Sequence, residues 1–211
     1  MTRCLLKEKS GSAAEMACET EYPMYVLPVR ELVNMRCLLS HDELLRNGLL
    51  RQWTAGLRVI NVSHQWLAHS EPDPAGEHFR CLKRLLERFM QGTISSMDSH
   101  WLHRALQTNS KSLDASAVSE MYIWIDYCSM PQVGPKSSKA QIQQAAQAVR
   151  SIPAYFERCL TLLILVPICK HRDTGKICSY ASWRRRGWCR MELTCSILAP
   201  QTTPALVCMG A

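Results

Sequence analysis

Trp188 and Glu192 stand four residues apart, so on a helix they share one face, a turn from each other. An indole in that position can stack on a ring system, and a carboxylate one turn away can hydrogen-bond ribose hydroxyls. The same carboxylate can stabilise an oxocarbenium-like cation or orient the water that attacks it, which is the chemistry of glycosidic bond cleavage. A plainer reading has Trp188 anchoring the core and Glu192 paired with Arg190 or Arg186. Ser63 and His64 are a nucleophile and a base by type, but neighbours at a strand end point to opposite faces, so a seryl hydrolase is not expected. Together with Trp66 they are instead candidate nucleotide contacts, or His64 bonds a neighbouring loop. Asp126 ends a second apolar segment, where it either binds ribose or caps the following loop. Arg184, Arg185 and Arg186 precede a helix start, a place that favours an anion such as a pyrophosphate. Of the three, Arg186 beside Gly187 is the ligand candidate, and the other two read as a solvated basic loop. His100 and His103 have metal-compatible spacing with no further ligand near them, and no CxxC pair occurs, so no metal is predicted.

Those side chains need strand ends and helix starts to hold them. Leu57 to Val62 is short, β-branched and apolar, as a buried strand should be, and runs into Ser63-His64-Gln65-Trp66. After the Pro72 to Pro74 turn and Gly76, a helix carries Phe79, Leu82, Leu85, Leu86 and Phe89 on one stripe. Gln91 to Ser119 reads as an insertion with a short helix. A second strand spans Met121 to Asp126, followed by a loop over Tyr127 to Pro135. Ser138 and Gln141 form a capping box that opens a helix through Ile142, Ala145, Ala146, Val149 and Ile152, which Pro153 is expected to break or restart. Leu160 to Val166 is apolar throughout, as a central strand would be. A polar loop over His171 to Arg186 then leads to a helix from Gly187 to Leu198, stopped by Pro200, and a fourth strand at Pro204 to Met209. This alternation predicts an α/β fold: a flavodoxin-like open parallel sheet of about 4–5 strands flanked by helices, with ligands bound beyond the carboxyl ends of its strands.

Ahead of that domain (55–211), residues 1–21 read as a flexible leader and 22–54 as an N-terminal extension. The extension is expected to hold a short strand at Met24 to Leu27, limited by Pro28, and a helix over His41 to Trp53. With 47% hydrophobic and 20% charged residues the 211-residue chain can bury a sizeable core. Its net charge of +7 is scattered apart from the arginine run, and no aromatic stripe interleaves with it, so nucleic acid is not an expected partner. Eleven cysteines, an odd number, without an apolar leader segment, point to reduced thiols and a cytoplasmic location. The longest apolar run, Cys159 to Cys169, falls short of the roughly 20 residues of a membrane span.

Trp188-Cys189-Arg190-Met191-Glu192-Leu193 resembles the W-C-x-x-E-L segment of TIR domains. Val59 to His64 is similar to their first strand and Ile123 to Asp126 to their second. Tyr122 to Asp126 and Arg186 to Trp188 also resemble segments of fungal heterokaryon-incompatibility domains. The combination of S-H-Q-W, P-D-P, W-I-D-Y, M-P-Q, S-I-P-A-Y and R-G-W-C-R-M-E resembles an uncharacterised TIR-like family of protists and algae, over Leu57 to Met209. The resemblance implies NAD as substrate and Glu192 as the catalytic carboxylate. Ser63, His64, Trp66, Asp126, Arg186 and Trp188 would contact the nucleotide. It further implies a homo-oligomer formed through the domain and a role in signalling or innate immunity. Because nicotinamide leaves as a neutral molecule, one carboxylate is enough. The other reading is a non-catalytic module for self-association. Two departures stand out: the stretch between the first helix and the second strand is longer than in ordinary TIR domains, and the chain stops where a further helix and strand would be expected.

Overall fold

Alternation along one strand organises the molecule. In β3 (Val59–His64) every residue is buried; Ile60 and Val62 belong to one apolar core and Val59 to the other, so the strand is covered on both faces. The computed structural model describes residues 19–94, 115–199 and 205–210. The expected leader up to residue 18, most of the insertion with His100 and His103, Pro200 and Pro204 lie outside them.

Around β3 run β1 (Tyr25–Pro28), α1 (Val29–Asn34), α2 (His41–Arg46), β2 (Arg51–Gln52), α3 (Glu77–Met90), a 3₁₀ turn (Ala115–Glu120), β4 (Tyr122–Trp124), α4 (Asp126–Ser129), α5 (Lys139–Glu157), β5 (Thr161–Leu165), a hairpin of β6 (Cys169–Lys170) and β7 (Ile177–Cys178), α6 (Tyr180–Trp183), α7 (Gly187–Leu198) and β8 (Ala205–Cys208). The main sheet has six strands in the order β2-β1-β4-β3-β5-β8. The four strands β4-β3-β5-β8 are parallel, whereas β1 is antiparallel to both β2 and β4. This mostly parallel sheet between helices is compatible with the flavodoxin-like class. Helices α1, α2 and α3 cover one face and α5, α6 and α7 the other, as their buried side chains divide between the two cores.

The departures from expectation are local. The segment before residue 55 is hydrogen-bonded into the sheet: Leu27 and Pro28 pair with Ile123 and Tyr122 of β4. The helix expected over His41 to Trp53 ends at Arg46, because Gly48 takes a left-handed conformation (φ 67°) and turns the chain back into β2. Pro153 does not break α5. The helix opens on the Ser138–Gln141 capping box and continues to Glu157, since Ile152, Ala154, Tyr155 and Phe156 are locked into the core on either side of the proline. The stretch His171 to Arg186 is not simply a loop; it contains β7 and α6, and α6 buries Trp183 completely.

Candidate functional site

The parallel strands reverse direction of travel at β3: β4 lies on one side of it and β5 on the other, so their carboxyl ends leave a crevice above β3. A cleft of about 370 Å³ sits there. His64, Gln65 and Trp66 from the end of β3, Asp126 at the start of α4, and Arg186, Trp188 and Cys189 from the start of α7 line it. The remaining wall is Met130, Pro131, Gln132 and Val133 after α4, with Ala145 and Val149 of α5. Five of the seven residues picked from sequence, His64, Trp66, Asp126, Arg186 and Trp188, therefore meet in one place.

Ser63 and Glu192 are not on its lining. The strand turns adjacent residues to opposite sides, so His64 faces α3 while Ser63 faces α6 and α7. There Ser63 Oγ hydrogen-bonds the Glu192 carboxylate and accepts the indole N–H of Trp183 at 3.0 Å. Glu192 is 2% exposed, one helical turn behind Trp188. Burial, reinforced by the negative charge of Asp126, pushes its carboxyl up to about 8 against the pull of hydrogen bonds from Ser63 and Trp188. Near neutral pH the group keeps its proton.

Asp126 has the opposite environment. Burial alone would raise its carboxyl, but His64, the Tyr127 backbone N–H and the Trp66 indole together outweigh that and hold it below the ordinary range. His64 Nε2 lies 3.4 Å from Oδ1, the Tyr127 N–H donates to Oδ1 at 2.7 Å, and Trp66 Nε1 donates to Oδ2 at 3.2 Å. The other ring nitrogen of His64 sits 3.2 Å from Nδ1 of His78 in α3. Burial and the neighbouring imidazole drive His78 down to about 3, so it stays neutral and orients His64. Cys189 Sγ reaches the His64 carbonyl at 3.8 Å, fastening the first turn of α7 to the end of β3.

Sequence reasoning passed over several contributors. His78 lies on the buried stripe of α3, four residues before Leu82, and that placement was a usable signal. Met130-Pro131-Gln132 falls in the loop expected over Tyr127 to Pro135, where residue type alone does not mark it as a cleft wall. Trp183 gave no signal, because nothing in its polar surroundings marks it as buried. A different cluster, His69, His171 and Asp173, brings its ligand-type atoms within 4.8 Å of one another. Several of its acceptor atoms already hold hydrogen bonds: His171 Nδ1 accepts the backbone N–H groups of Asp173 and Thr174, each at 3.3 Å, and the two carboxylate oxygens of Asp173 take the His69 backbone N–H and the Arg172 guanidinium. With Arg172 beside it, the cluster reads as a brace for the hairpin loop.

Comparison with protein-family models, with curated proteins and with solved structures returned no match. Among the described residues no helix is long and apolar enough to cross a membrane.

Proposed function

We propose that the chain is a TIR-like domain that binds NAD in the cleft above β3 and hydrolyses it to nicotinamide and ADP-ribose. One observation carries the reading: two indoles, an ionised carboxylate and an arginine from three separate segments converge on a crevice at the strand reversal, with Glu192 directly behind one of the indoles. A volume of about 370 Å³ is at the small end of small-molecule sites, which span about 300–1,000 Å³. Trp66 and Trp188 offer faces for stacking, Asp126 accepts from ribose hydroxyls, and Arg186 with the first turn of α7 faces the pyrophosphate.

In the reaction the bond between ribose C1′ and the nicotinamide nitrogen breaks, and its electron pair neutralises the pyridinium. The cation left on the ribose needs a negative charge nearby, which Glu192 supplies once it has lost its proton and turned from Ser63 towards the cleft. Water then adds to C1′ and releases a proton. Turnover consequently rises as pH approaches the Glu192 value of about 8 from below.

A second reading has an observation of its own. A glutamate that is 2% exposed, protonated and tied to Ser63 is also what an interaction module without turnover would contain. The deciding experiment incubates concentrated protein with NAD and follows nicotinamide by chromatography, beside Glu192→Gln. The expected result is release that falls at least 100-fold in the variant. Folded protein that binds other copies of itself but releases nothing assigns the chain to the second reading.

A further inference from the structure

Away from the cleft, α3 and the edge strand β8 bring two thiols together. Cys208 is the last residue of β8 and points, with Leu206, into the core beneath α3. Cys81 lies in the second turn of α3, half-buried against that same core. Their sulfurs are 3.8 Å apart and hydrogen-bonded, across 127 residues of sequence. The backbone holds Cys208 in place, its carbonyl accepting the Val166 N–H at 2.8 Å. We propose that Cys81 and Cys208 are an oxidation site, at which a peroxide converts the two thiols to a disulfide that fastens the edge strand to α3.

The pair is built for the two steps this requires. The hydrogen bond between the two sulfurs lowers the Cys208 thiol despite its burial. Among the described residues with a shifted thiol Cys208 alone moves down; burial pushes Cys159 and Cys189 up to about 12. The lowered thiol makes Cys208 the first nucleophile of the pair. It attacks one peroxide oxygen, the O–O bond breaks, and hydroxide leaves, giving a sulfenic acid. The Cys81 sulfur then attacks the Cys208 sulfur; the S–S bond forms, and the hydroxyl departs as water with the Cys81 proton. The two sulfurs lose the two electrons that the peroxide gains. Closing from 3.8 Å to a bond of about 2.05 Å needs side-chain rotation and a small approach of the chains, which a strand paired on one side only among the described residues can make.

The test treats the reduced, purified chain with a small excess of hydrogen peroxide, blocks the remaining thiols, and maps the products by mass spectrometry without reduction. The expected product links the Cys81 and Cys208 peptides, lighter by two hydrogens, and raises Tm by several degrees until dithiothreitol reverses it. Cys81→Ser, a small change at a half-buried position, should stop at the Cys208 sulfenic acid, trapped by a dimedone reagent at least tenfold faster than any adduct at Cys159. Cys208→Ser should abolish both products. Cys208 reacting no faster than Cys159 in Cys81→Ser, or a dominant disulfide joining other cysteines in the unaltered chain, overturns the assignment.

Discussion

Two acids sit on opposite sides of one strand end and are treated in opposite ways. Asp126 borders the cleft, with one imidazole, one backbone N–H and one indole arranged around its two oxygens, and is held ionised. Glu192 lies behind the cleft wall on the other face of the sheet, bonded to a hydroxyl that is itself held by Trp183, and is held neutral. The difference is one of solvation and partner count, and one acid works on the other: the charge on Asp126 helps keep the proton on Glu192. Carboxyls whose environments drive their titrations apart mark acid–base division of labour in enzyme sites. Here they give the fold an anion beside the cleft and a latent one that appears with rising pH.

The strongest way to break this comparison is to remove the latent acid. Folded Glu192 titrates at about 8 against an ordinary value of 4.5, so the native state keeps a proton that the unfolded chain has lost. Stability from this group is therefore complete below about pH 4.5 and declines as pH rises through 8. Glu192→Gln, which resembles the protonated form, should match the unaltered chain at pH 5 and exceed it at pH 9 by an amount on the order of a few kcal/mol. Thermal unfolding of both proteins across that range checks it. Parallel curves would mean that Glu192 is already ionised in the fold, and the contrast with Asp126 would be lost.

Much of this arrangement was legible in the residues. Hydrophobic runs at Val59, Ile123 and Leu162 placed the parallel strands, because a strand buried on both faces must be apolar along its length. Strand ends are where such a sheet binds ligands, so His64, Trp66, Asp126, Arg186 and Trp188 could be grouped before any coordinates. The burial of Glu192 could not be read, since it depends on Trp183 filling the space beside Ser63, a contact between residues 120 apart. The sheet position of β1 was equally hidden: its four residues carry no sign of the antiparallel partner they pair with. Pro153 misled for a related reason, as local propensity says nothing of the core contacts that hold α5 through it.

Ser63→Ala sharpens the comparison with a smaller effect. It removes the donor to Glu192 and leaves the Trp183 indole N–H buried without its acceptor, a loss of about 1–3 kcal/mol. Losing that hydrogen bond should also move the Glu192 titration further up, so the pH at which the variant destabilises shifts to higher values. A drop in stability with no movement of the titration would make Ser63 a packing residue only.

The matching change at the open acid is Trp66→Phe. The indole donates to Asp126 Oδ2 and stands edge-on to Tyr127 with ring centroids 6.1 Å apart; phenylalanine keeps the ring contact and loses the N–H. Asp126 retains the Tyr127 N–H and His64, and water reaches its vacated oxygen from the cleft, so the cost should stay below about 1 kcal/mol. Denaturant unfolding of Trp66→Phe and Ser63→Ala side by side measures how differently the two acids are embedded. Equal losses would mean that Asp126 is as closed to solvent as Glu192, and then its ionisation would have to rest on His64 and the Tyr127 N–H without help from water. A loss at Ser63 that exceeds the loss at Trp66 keeps the asymmetry where the geometry puts it: in the side of the sheet to which β3 turns each neighbour.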